Sequence, residues 1–101
     1  MDVKIHPVHF KPDQKLTDLV RERSAKLTQT FDRLSSVDVY LKLENNHQKV
    51  KEKVVEIKMS VPGQKLFVMN KSLTFEDALH QAIDSAVEML RRKKEEMTQH
   101  H

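Results

Sequence analysis

Four basic side chains stand in a row at Arg91, Arg92, Lys93 and Lys94, between Leu90, which closes a long apolar pattern, and the acids Glu95 and Glu96. On a helix, successive residues point about 100° apart, so this stretch is cationic on every side. Such an end packs poorly against a core and suits phosphate groups well. The bland alternative is a solvated helix end whose cations complement the helix dipole, at about 0.3 to 1 kcal/mol each. A second basic group lies upstream. Lys15, Lys26 and Arg33 fall within about 20° of one another on a helical wheel, and Arg23 lies beside them toward the apolar stripe. Here the bland readings are an (i, i+4) pair of Glu22 with Lys26 and a local pair of Arg33 with Asp32.

Other chemistry finds little support. His6 and His9 have an H-x-x-H spacing, but beside Pro7 in a short turn they read as loop or surface histidines and no metal site is expected. The chain has no cysteine, which excludes a disulfide framework and a cysteine nucleophile. It has one glycine, hence no glycine-rich phosphate loop, and its histidines have no ordered partners in sequence. No catalytic residue, cofactor or small-molecule substrate is expected.

The 101 residues, 38% of them hydrophobic, correspond to a single domain over 1–101, with a disordered tail from about residue 98. Although 33% of the residues are charged, the net charge is +3 and the apolar residues are periodic, so the chain should fold. The start at Met1 lacks the apolar run of a signal peptide, and no stretch approaches the roughly 20 apolar residues needed to cross a bilayer. A cytoplasmic protein without membrane contact is the expectation. The pI near 9.2 is a weak hint of a polyanionic partner. Distribution says more: from Ser72 to Leu90 the formal charges are Glu76, Asp77, Asp84 and Glu88, all negative, and the basic run follows without a gap.

The elements that position these residues follow from periodicity. Val3 and Ile5 alternate with polar neighbours as in a half-buried strand ending at Pro7. Pro12 and Asp13 open a helix whose apolar positions are Leu16, Leu19, Val20, Leu27, Phe31 and Leu34. Val37, Val39, Leu41 and Leu43 mark a second strand, with Asp38, Tyr40, Lys42 and Glu44 on its wet face. Asn45 and Asn46 suit a turn, and Val55, Ile57, Met59 and Val61 mark a third strand with Glu56, Lys58 and Ser60 opposite. Pro62-Gly63 fits a type II turn into a fourth strand, "KLFVMNK". Thr74, with Asp77 three residues on, has capping-box spacing at the head of a last helix over Phe75 to Met97. The fold class is α+β: a two-layer β-α-β-β-β-α domain, a four-stranded mixed sheet with both helices on one face, the first strand parallel to a neighbour.

A last helix of about 35 Å should overhang strands of roughly 20 to 27 Å, carrying the basic run beyond the core. Lys93 and Lys94 extend its apolar stripe, so those turns must leave the core or their lysines must snorkel. Tyr40 is the clear aromatic on the open sheet face, and among its charged neighbours a base-stacking surface is not expected there.

Three stretches, "KLTQTFDRLSSVDVYLKLE", "VEIKMSVPGQKLFV" and "FEDALHQAID" with the basic close "LRRKK", make the chain resemble the ribosome hibernation-promoting factor and ribosome-associated inhibitor family, also called the sigma-factor modulation protein family. The resemblance covers most of the chain in order. It implies a β-α-β-β-β-α domain seated in the decoding channel of the small ribosomal subunit, with basic residues of both helices against ribosomal RNA. Residue by residue, it implies contacts from Lys26 in "AKL" and Arg33 in "FDR", more loosely Arg23, and from Arg91, Arg92, Lys93 and Lys94. Arg21 and Glu22 depart from the family pattern, and Glu95 and Glu96 shorten the basic tail. With no second domain, the chain looks like the family's short form, monomeric off the ribosome, blocking messenger and transfer RNA reversibly as part of a bacterial stress response. A double-stranded RNA-binding module shares the strand and helix order, and the family's older name suggests a regulatory protein-interaction domain acting on a transcription factor.

Overall fold

Val37, Val39 and Leu41 alternate with Asp38, Tyr40 and Lys42, and a strand of period two buries one face against a second layer. The computed structural model describes residues 3–45, 47–48 and 50–99. Its elements are β1 (Val3–Pro7), α1 (Gln14–Thr30), β2 (Ser36–Asn45), β3 (Lys51–Val61), β4 (Gln64–Ser72) and α2 (Phe75–Gln99). The sheet order is β1-β2-β3-β4, with β1 parallel to β2 and the other neighbours antiparallel. Val20 and Leu27 of α1 and Leu79, Ile83 and Leu90 of α2 pack with Val39, Ile57 and Met59 in one core. The fold is the expected two-layer mixed α+β arrangement.

Local chemistry starts the helices as the sequence suggests. The Asp13 carboxylate accepts from the Leu16 N–H at 2.8 Å, and the Thr74 hydroxyl accepts from the Asp77 N–H at 3.1 Å. Gly63 has φ of 84°, the left-handed value required at the second position of the Pro62-Gly63 turn, and Val61 pairs with Gln64 across it.

The structure corrects three expectations. α1 ends at Thr30, one turn before Leu34: Phe31 is extended (φ −144°, ψ 106°) and its N–H caps the Leu27 carbonyl. Leaving the helix lets both Phe31 and Leu34 enter the core, while the Ser35 N–H reaches the Ser60 carbonyl at 2.9 Å to start β2. The strands are also longer. β3 has 11 residues, about 36 Å, against about 37 Å for the 25 residues of α2. Length alone therefore leaves no overhang, and Met97 still packs on the core. Finally, α2 takes in Thr98 and Gln99, assigned above to a tail; His100 and His101 lie outside the described residues. No helix among the described residues is long and apolar enough to cross a membrane.

Candidate nucleic-acid interface

Contacts along α1 and α2 show that they run parallel. Near their starts, Lys15, Asp18 and Glu22 line a groove with Glu76. Midway, Arg23 and Lys26 share one with His80, Ile83 and Asp84. At their ends, Lys26, Gln29 and Thr30 share one with Arg91, Lys94 and Glu95. Parallel packing thus gathers the cations of both helices toward one end of the layer and leaves the acids Glu76 and Asp77 at the other.

The seven basic residues singled out from the sequence then fall into two groups. Arg92 donates to Glu88 at 2.7 Å, one turn back. Lys93 donates to Gln64 of β4 at 3.0 Å and lies 3.9 Å from Glu96, with 16% of its side chain exposed. Its stem lies along the fold and its head reaches the hairpin tip, so Lys93 snorkels. The helix end is consequently not cationic on every side. Arg23, Lys26, Arg33, Arg91 and Lys94 are exposed, and none has an ion pair or hydrogen-bonded side-chain partner among the described residues. The Glu22–Lys26 and Asp32–Arg33 pairs do not form.

The wheel that joined Lys15, Lys26 and Arg33 does not survive as one patch. Lys15 is 11 residues before Lys26, about 16 Å along the axis and beside Glu76, because equal angles on a wheel ignore axial distance. Arg33 lies in the turn after α1.

Neither helix has a basic residue in its last turn. Dipole complementation fades within that turn, and Glu95 and Glu96 stand between the basic run and the end of α2, so the dipole does not account for the run. What remains is a set of exposed cations, unpaired among the described residues, around grooves that Glu22, Asp84 and Glu95 also line, an arrangement that can reach a phosphate backbone. Elsewhere, the His6 Nε2 lies 2.7 Å from an Asp38 carboxylate oxygen and its ring stacks on Tyr40 at 4.6 Å. His9 is exposed at φ 61°, and no third ligand joins the two histidines among the described residues.

The family described as sigma 54 modulation protein / S30EA ribosomal protein matches residues 3–98. The chain belongs to this family. Over 93 residues it is 31% identical to a ribosome hibernation promoting factor of Pseudomonas putida, covering 92% of this chain and 82% of that protein. It is thus a distant relative within a non-enzymatic, ribosome-associated hibernation family. Its fold is that of a ribosomal subunit interface protein from Coxiella burnetii (TM-score 0.82, 14% identity, 93% of this chain and 98% of that one). It is also that of the Protein Y N-terminal domain of Thermus thermophilus (TM-score 0.76, 21% identity, 91% and 98% covered).

On the opposite face, Tyr40 is not alone. The register puts Phe67 opposite Lys58, on the wet side of β3, with 55% of its surface exposed. Counting outward from the Pro62-Gly63 turn would have found it; the apolar run Leu66 to Met69 hid the alternation.

Proposed function

We propose that the chain binds the small ribosomal subunit in its decoding channel and sterically excludes messenger and transfer RNA, inhibiting translation reversibly. The observation that carries this reading is the convergence of Arg23, Lys26, Arg91 and Lys94 on the grooves between the parallel helices, with no ion pair to any of them among the described residues. The hibernation factor and subunit interface protein that the chain resembles suggest the partner. Arg33 extends the surface from the turn after α1, while Arg92 and Lys93 contribute only by exchanging internal partners. Each phosphate neutralised releases counterions, and the rigid body fills the channel with no chemical step. Salt or competing RNA reverses it. A general double-stranded RNA module is disfavoured by Glu76 and Asp77 at the start of α2, where such modules present cations.

The test is sedimentation of the purified chain with small ribosomal subunits across a salt series. About four phosphate contacts give a log–log slope near −3.6, at about −0.9 per contact as for duplex DNA. A flat salt dependence overturns the electrostatic grip, and recovery from a lysate only in a protein complex free of ribosomes favours the transcription-factor reading.

A further inference from the structure

The open sheet face carries side chains that neither the core nor the helix groove uses. Leu66 and Val68 of β4 pack inward, so Phe67 and Met69 point outward, 55% and 54% exposed. Scattered exposed apolar side chains are ordinary, and exposure alone assigns nothing. The surrounding charge is what sets Phe67 apart.

Asp38, Glu56 and Glu44 of this face are committed to His6, Lys42 and Lys71 at 2.7, 2.7 and 2.9 Å. The side chains of Lys58, which the register sets between Asp38 on β2 and Phe67 on β4, and of Lys65, two residues before Phe67, make no hydrogen bond or ion pair among the described residues. Facing side chains on neighbouring strands, such as Lys58 and Phe67, have Cβ atoms about 5 Å apart, and same-face neighbours two residues along one strand, such as Lys65 and Phe67, are about 6 to 7 Å apart, so both long lysine chains reach past the ring.

We propose that Phe67, with Lys58 and Lys65, forms a second RNA-contact site, selective for unpaired nucleotides. A base stacks on the Phe67 ring while the lysines neutralise the flanking phosphates, and the Met69 thioether extends the apolar floor. Stacking needs a base freed from its helix, whereas the helix groove grips backbone of either kind. The site is therefore chemically separate from the helix reading and does not depend on it. A second copy fits less well. Antiparallel pairing of β4 with itself about Val68 would bring Phe67 and Met69 together but oppose Lys65 to Lys71 twice, and facing like charges destabilise a strand pair.

The chain has no tryptophan, so Phe67→Trp supplies a single indole, excited selectively over Tyr40, at the proposed stack. Single-stranded oligoadenylate should quench that indole, and a duplex RNA of equal length should not. By fluorescence anisotropy, Phe67→Ala should weaken single-strand binding by about 5- to 150-fold, equivalent to about 1 to 3 kcal/mol, and leave duplex binding unchanged. Lys58→Gln with Lys65→Gln should reduce the single-strand salt slope by about 1.4, at about 0.7 per contact. Arg91→Gln with Lys94→Gln should do the reverse, weakening duplex and ribosome binding while the quench persists, so failure here and failure of the helix reading are distinguishable. The proposal is overturned if oligoadenylate binds without quenching the indole, or if Phe67→Ala binds it like the parent. Sedimentation equilibrium showing a dimer that Phe67→Ala dissociates would assign the patch to a second copy instead. If Phe67→Ala does not fold, the quench and the lysine pair decide.

Discussion

Lys42 and Lys71 on the open sheet face each hold a carboxylate, at 2.7 and 2.9 Å, whereas Lys26 and Lys94 on the helix face hold none among the described residues. The difference has visible consequences. Val54 lies between Lys42 and Lys71 in the register and is fully buried although it stands outside the main core. The two lysine stems roof it while their heads close onto Glu56 and Glu44. Hydrogen bonding to Glu56 raises the Lys42 pKa above 10.5, and hydrogen bonding to Glu44 does the same for Lys71. Charge on this part of the sheet is thus spent on covering the fold. Around the helix groove Arg23, Lys26, Arg91 and Lys94 make no ion pair among the described residues, which is what the proposed RNA contact requires, and only the pairing in space separates the two patterns.

The sharpest way to break this comparison is to neutralise each side. Arg23, Lys26, Arg91 and Lys94 changed together to Gln should keep the fold and lower the ribosome salt slope by about 3 to 4, with binding largely lost at physiological salt. Lys42→Gln with Lys71→Gln should leave the slope alone. Equal losses from both variants, measured by co-sedimentation, would mean that net charge acts and the groove does not.

Stability should divide differently. Ile57→Ala, inside the core that both faces share, should cost about 2 to 5 kcal/mol in denaturant titration through lost burial and a cavity. Within the basic run, Lys93→Ala should cost about 0.5 to 1.5 kcal/mol, because it gives up the bond to Gln64 and the packing of its stem. Lys94→Ala should leave stability unchanged and weaken ribosome binding. If the two behave alike in both assays, the division of the run into packed and free residues fails.

The smallest effect belongs to the sheet. Lys42→Gln should cost under about 1 kcal/mol, the ordinary range for an accessible ion pair. The folded pKa of Lys42 is raised, so the pair's contribution is complete below the usual lysine value of about 10.4 and is lost as pH climbs through the folded value. The stability difference between parent and Lys42→Gln should therefore stay constant from about pH 6 to 9 and shrink only in stronger alkali.

The sequence by itself determined what depends on neighbours along the chain. Alternation marked the strands, Asp13 and Thr74 marked both helix starts, and the lone glycine marked the β3–β4 turn, because period, capping and positive φ act within a few residues. It also exposed the family resemblance and the seven basic candidates. What it left open depends on elements meeting in space. α1 stops at Thr30 because Phe31 and Leu34 must enter the core, which no wheel shows. Lys93 is held because Gln64 faces it from β4, and Lys94, one residue on, points elsewhere. Lys15 and Lys26 share an angle but not a site, since the parallel packing of α2 sets Glu76 beside Lys15 and brings Arg91 and Lys94, along with Glu95, to Lys26. A cation's availability depends on which carboxylates lie within a few ångströms, and that distance is decided by tertiary packing rather than by spacing along the chain.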